Sequence, residues 1–431
     1  MSKRIGIFIS RYAFGTSSTI YNTVSMLLQE GYLVDIFLYH ASDPKLLKFR
    51  DNKVRVFDFS ENNESSIWFW DQAKRLIKRL LRYILPINVR IQLKKAWSHL
   101  NQINDNRSLT VFQSSHPEFM IIPGYVLESA GKIISNSEYQ CLIGIESRGL
   151  VFAGILGNRF NIPVIYHSLE LYLSCDPLFS GPEFTILKQL ERKFHAQVVA
   201  TIIQDEERAS VLFEDNRLPF GRVFYVPVSM LGEPIQIKNR YFHNRFQLPD
   251  TERVLLQIGY IHPHRLSLEI AEAAQALPEG WTLVMHGFLD QAYADAIMAV
   301  DTHHKIRLSR DIVELESLQQ LVSSADIGLV FYLNDGLNNY LTGQSSDKMA
   351  RYMQCGIPVI TVDFPSFRRI VEKYKCGICV STPAQITSAL NTIMEDYYNY
   401  RLAAYTCYRE KYEFSRYFLS VIDFINSLRS E

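Results

Sequence analysis

Residues 343–360 read G-Q-S-S-D-K-M-A-R-Y-M-Q-C-G-I-P-V-I. Ser345 and Ser346 are helix-capping types, and Asp347 suits a first helical turn. Residues 348–354 then spell a short helix, stopped by Gly356 and Pro358. Val359, Ile360 and Val362 open a buried strand. The chain thus brings a helix N-terminus, two hydroxyls and one lysine to one point. Such a point binds phosphate. The same letters also describe an ordinary capped helix leading into a core strand.

Outward from this segment the pattern alternates. In the second half, strands are expected at 254–258, 281–285 and 327–332, with helices at 268–276 and 315–323. In the first half, 5–10 and 34–39 read as strands around a helix at 21–29. Further strands are expected at 141–145, 164–167, 198–203 and 223–226, with Pro227 closing the last. Strand, helix and strand in turn predict doubly wound α/β domains. The polar stretch 231–250 is the natural linker. The first loop, 11–19, contains Gly15 and Ser17-Ser18 but lacks G-x-G-x-x-G, so the dinucleotide fingerprint is absent.

A chain of 431 residues has room for two substantial cores. Lys plus Arg number 45 and Asp plus Glu number 45, which gives no overall bias toward nucleic acid. Of six cysteines, only Cys376 and Cys379 form C-x-x-C, with no second pair to complete a zinc site. They read as reduced residues of a cytoplasmic protein. The apolar run at 5–9 is too short for a signal peptide or a membrane span.

The run C-G-I-P-V-I at 355–360 resembles the donor-binding segment of retaining glycosyltransferases of family 4 (glycosyltransferase group 1). The resemblance implies a GT-B fold, with two Rossmann-like domains facing a central cleft. Domains are then expected at 1–232 (acceptor side), 233–404 (nucleotide-sugar side) and 405–431, a last helix crossing back to the first domain. The family's paired glutamates fall here on Gly343 and Arg351. Lys348 resembles the lysine that some members carry instead.

On the same resemblance, the loop Gly259-Tyr-Ile-His-Pro-His-Arg265 supplies a basic residue, Arg265, to the donor diphosphate. Arg265 and Lys348 follow two strands of one sheet, so both should reach one cleft mouth. Gly259, Tyr260, His286, Gly287, Gly343, Ser345, Ser346 and Arg351 complete the expected donor side, with Arg351 adding a phosphate contact. The segment 161–172 resembles the strand and loop that carry Y-D-x-H-E in some members. Glu170 matches its glutamate, and Arg265, Lys348 and Glu170 are the expected catalytic residues. On the acceptor side we place Gly15, Glu146, Arg148 and His167. Glu146 also reads as a helix cap and His167 as a strand-end residue. The segment Gln204-Asp-Glu-Glu-Arg208 reads as an acidic helix cap. Asp335, Asn338 and Asn339 lie in a loop within reach of a donor sugar.

The chemistry accounts for the cations. Breaking a sugar–diphosphate bond leaves a charged diphosphate, which fixed cations and helix N–H groups stabilise. No cofactor or metal is expected, because two cations and a helix terminus supply that charge. Residues 68–100 begin Trp-Phe-Trp and continue with eight Lys and Arg and no acid after Asp71. A basic amphipathic helix of this kind suits an anionic membrane surface, at the inner face of the plasma membrane; a solvated helix packed on the first domain fits equally. The expected partners are a nucleotide-diphosphate sugar and a glycan or lipid-linked acceptor of polysaccharide biosynthesis, with no nucleic acid. A catalytically degenerate partner subunit and a nucleotide-sugar 2-epimerase are the alternatives.

Overall fold

The computed structural model describes residues 3–9, 17–39, 49, 51–59, 117–176, 180–311 and 313–428. Gly15 and the basic stretch 68–100 lie outside the described residues.

Two parallel sheets carry the chain. The first has seven strands in the order β3-β2-β1-β4-β5-β6-β7. These are β1 (Arg4–Ile9), β2 (Leu33–Leu38), β3 (Val54–Asp58), β4 (Cys141–Ile145), β5 (Val164–His167), β6 (Ala200–Ile203) and β7 (Val223–Tyr225). The second has six, in the order β10-β9-β8-β11-β12-β13. These are β8 (Arg253–Tyr260), β9 (Trp281–Phe288), β10 (Ile306–Ser309), β11 (Ile327–Val330), β12 (Val359–Val362) and β13 (Gly377–Val380). Central strands such as β4 and β12 are buried along their whole length, as a parallel sheet covered on both faces requires. Their unbroken apolar runs made them legible. The edge strands β3, β10 and β13 keep half-exposed or exposed positions, and in β3 and β10 an arginine interrupts the run.

Both sheets reverse strand order beside their first strand, where β1 meets β4 and β8 meets β11. Ligands bind outside the carboxyl ends of the strands at such switch points. The stretch 231–250 does not behave as a bare linker. It folds a short helix, Tyr241–Phe246, whose Phe242 joins the second domain's core.

The chain end returns to the first domain. Phe414, Phe418, Val421, Ile422 and Ile425 share a core with Ile5, Ile20, Val24 and Leu27. A π-helical turn at Tyr408–Tyr412 precedes this last helix, Ser415–Ser427. No helix of the described residues is long and apolar enough to cross a membrane.

Candidate functional site

Arg265 and Lys348 meet on one aromatic ring. Tyr332, two residues past β11, is buried. The Arg265 guanidinium carbon lies 4.2 Å from its centroid and the Lys348 ammonium 4.7 Å. Lys348 also donates to the Tyr332 hydroxyl at 3.2 Å. Burial alone would push this phenol up, but Lys348 and Arg265 outweigh it and hold it below its ordinary value. Arg265 is fixed further by Asn339 Oδ1 at 3.3 Å, and Asn339 donates to Asp335 at 2.6 Å.

The helix expected at 348–354 spans Asp347–Gln354. Ser346 caps it, accepting from Met349 N at 3.4 Å, and its hydroxyl is bonded to Tyr332 at 3.0 Å. Ser345 turns back to Thr342. Gly343 is buried behind the site, where its carbonyl accepts from Tyr412 at 2.7 Å. Gly259, at φ 103°, lies within 4 Å of the Lys348 ammonium when given a Cβ. A Cβ on its neighbour Gly287 would fall 1.8 Å from the Gly259 carbonyl, so only glycine fits there. His286 is buried on Ser309 at 2.8 Å, and burial lowers it to about 4, so it is neutral. Tyr260 is 44% exposed and stacks on His262 at 4.4 Å.

Arg351 departs from expectation. It is 1% exposed and donates through Nε to Asp347 at 2.6 Å. Its guanidinium pairs with a carboxylate one helical turn back, a partner that the reading of Arg351 as a phosphate contact did not include. Asp347 also accepts from Ser18 of the first domain, across the cleft.

The opposite wall gathers residues from the ends of β4, β5 and β6. Glu146 is buried and accepts from the Glu170 backbone at 3.1 Å. The Glu170 carboxylate accepts from Asn338 of the second domain at 2.7 Å. Arg208, fully buried, donates to Gln204 at 2.6 Å, to the Leu169 carbonyl at 3.0 Å and to Asn338 Oδ1 at 2.9 Å. Asp205 caps the helix Glu206–Asn216, as the acidic-cap reading requires. His167 is fully buried with neither ring nitrogen bonded, and burial lowers it to about 3. Arg148 pairs with Glu183.

Arg208, Tyr332 and the Asn338 bridge were not singled out for these roles from the letters. A concavity of about 600 Å³ lies elsewhere, against β13, lined by Asp363, Arg368, Tyr374 and Tyr400. It contains none of these residues. Among the described residues no group of three or more His, Cys, Asp or Glu is placed to hold a metal ion.

Residues 292–422 match the family described as glucosyltransferase 3-like, C-terminal domain. No curated protein matches the chain. Among solved structures, HepE of Anabaena in complex with UDP-glucose is similar at a TM-score of 0.64 and 12% identity, over 98% of this chain and 99% of that one. Sucrose-phosphate synthase of Thermosynechococcus elongatus is similar at 0.66 and 12%, over 99% of each. A UDP-forming trehalose-phosphate synthase of Burkholderia vietnamiensis is similar at 0.56 and 11%, over 100% of each. These likenesses show that the fold is GT-B, the two-domain α/β architecture of glycosyltransferases.

Proposed function

We propose that this protein is a glycosyltransferase that moves a sugar from a nucleotide-diphosphate donor to a glycan or lipid-linked glycan. One observation carries the reading: Arg265, in the turn after β8, and Lys348, in the first turn of the helix Asp347–Gln354, meet on Tyr332. As the anomeric C–O bond breaks, charge grows on the leaving diphosphate. Two cations and a helix N-terminus stand ready for it. They bring the positive charge that a metal ion would otherwise supply. The match to a glucosyltransferase domain and the UDP-glucose complex of HepE support a nucleotide-sugar donor.

Retention follows the family resemblance, and the anomeric configuration of the product tests it. The stretch 68–100 is proposed to bring the enzyme to the cytoplasmic face of an anionic membrane, where a lipid-linked acceptor would wait. Flotation with anionic liposomes at low salt tests that part.

A thermal-shift screen with UDP, GDP, ADP and TDP tests the donor site. One diphosphate should raise the melting temperature, and Arg265→Ala with Lys348→Ala should abolish the rise. No response to any of the four overturns the reading. One observation favours a 2-epimerase as the second reading: the Glu146 carboxylate accepts from the Glu170 backbone and feels the Glu170 charge in one cleft wall, and epimerisation needs acid and base carboxylates. A new glycoside as product decides for the transferase, and an epimerised or eliminated sugar for the alternative.

A further inference from the structure

Strand β4 runs into the helix Glu146–Phe160 without a loop. The turn places Glu146 at φ 61°. Among the described residues, seven other than glycine have positive φ. Four of them, Asn161, Arg217, Gln247 and Lys375, end helices, where a left-handed residue is the usual cap. Glu146 opens one. The elbow is tight. A Cβ on Gly144 would meet Leu150 Cα at 2.5 Å, and one on Gly149 would meet the Phe8 carbonyl at 2.3 Å. Glycine relieves the bend on both sides, yet a glutamate is held in the strained position itself. Strain of this kind is kept at functional sites.

The side chain adds a second observation. Glu146 is 6% exposed. Its Oε1 accepts from Glu170 N, and its Oε2 has no hydrogen-bond partner. An unpaired carboxylate oxygen in the interior is costly. Burial first, then the Glu170 charge, hold this carboxyl well above the usual range. Arg208 opposes them, and Glu191 and Tyr166 are the other titratable groups that act on it. Neither the turn nor the hydrogen bond needs a glutamate. Glycine would fit the turn without strain, and glutamine would accept from Glu170 N equally well.

We propose that Glu146 takes the proton of the acceptor hydroxyl during transfer. This rests on the glycosyltransferase reading above. The acceptor oxygen forms its bond to the anomeric carbon while its proton passes to Glu146 Oε2. The bond from that carbon to the diphosphate oxygen breaks, and its electron pair leaves with the diphosphate held by Arg265 and Lys348. The proton is then lost to water. The step as written holds for either face of attack. Glu146 stands in the wall of the first domain, and the two cations stand in the second. Glu170 links the two walls, its backbone N–H donating to Glu146 and its carboxylate accepting from Asn338, and on this proposal the acceptor enters when that bridge parts. A raised carboxyl makes a stronger base, once ionised, than a solvated one.

Steady-state kinetics of the full chain test this. Glu146→Gln should lower kcat by about 10²–10³-fold, the range of a lost general base, and leave the nucleoside-diphosphate thermal shift unchanged. In the wild type kcat/KM should rise with pH along a limb that Glu146→Gln lacks. Glu146→Gly should melt no lower than the wild type, because its turn is relaxed, and be as slow as the glutamine variant. Glu146→Gln within threefold of wild-type turnover, or a pH limb that persists in it, overturns the role of Glu146 and leaves the transferase reading standing. A wild type that binds a diphosphate yet transfers no sugar overturns both.

Discussion

Arg351 donates to Asp347 at 2.6 Å, one helical turn back, and is itself 1% exposed. The pair fixes the first turn of the helix Asp347–Gln354 and neutralises a carboxylate that would repel a diphosphate bound as proposed. Asp347→Ala should leave the Arg351 charge buried and unpaired, at a cost of about 3 kcal/mol; urea denaturation measures it. Arg351→Ala should free the half-exposed Asp347 carboxylate. Nucleoside-diphosphate affinity then falls by roughly fivefold, about 1 kcal/mol for a like charge near the surface, while nucleoside affinity holds. Equal loss for both ligands would count against the repulsion.

Tyr332 holds Arg265 and Lys348 against one ring. Arg265→Ala or Lys348→Ala should each lower turnover by about 10²–10³, as for loss of one charge-stabilising donor. Tyr332→Phe keeps the ring under both cations and loses the hydroxyl contacts to Lys348 and Ser346. It should lower kcat/KM by about tenfold, a hydrogen bond to a charged group. Tyr332→Leu removes the ring as well and should cost about a hundredfold, since each cation–π contact adds up to about 2 kcal/mol when desolvated. Equal values for the Phe and Leu variants would show that the ring does not position the cations.

Three buried histidines should make the protein acid-labile. Burial lowers His167 to about 3 and His195 and His286 to about 4. Above about pH 6.5 an imidazole is neutral in both folded and unfolded chains. Below that pH only the unfolded chain takes the proton until the folded value is reached. Stability therefore falls as pH falls, by about 1.4 kcal/mol per pH unit for each histidine. Glu146 has the opposite sign: its raised carboxyl favours the fold at low pH and loses that contribution as pH rises. The urea midpoint should drop steeply from about pH 6 to 4. His167→Leu should flatten that drop and raise the midpoint, because it removes two unbonded buried nitrogens.

Much of this architecture could be read in the letters, because buried parallel strands are spelled as unbroken apolar runs. The runs at 141–145 and 164–167 coincide with β4 and β5 in full. The C-G-I-P-V-I turn located β12 and the helix before it. What the letters hid was pairing over distance. Arg208 sits in a segment that reads as an acidic cap, and only the fold brings it to Asn338, 130 residues on. The Asp347–Arg351 pair was nearer to hand, since residues four apart share a helix face. The reading of Arg351 placed it beside Lys348 and did not pair it with the carboxylate one turn back. The strain at Glu146 has no signature in composition; the glycines at 144 and 149 are its only trace.

Asn338 and Asn339 point to different domains, and this ties cleft closure to the position of Arg265. Asn338 donates to Glu170 at 2.7 Å and accepts from Leu171 N at 3.0 Å and from Arg208 at 2.9 Å. Asn339 accepts from Arg265 at 3.3 Å and donates to Asp335 at 2.6 Å. Asn338→Ala removes three side-chain hydrogen bonds, two of them to charged groups, and leaves Arg208 buried without that acceptor. The closed arrangement should lose about 3 kcal/mol. Solution scattering should then report a larger radius of gyration for the variant than for the wild type. Donor KM should rise too, because the loop that carries Asn339 no longer holds the Arg265 guanidinium over Tyr332. Ser18→Ala removes only the contact to Asp347 and should open the cleft less. An unchanged radius of gyration in Asn338→Ala would mean that the domains are held by other contacts and that Asn338 does not govern closure.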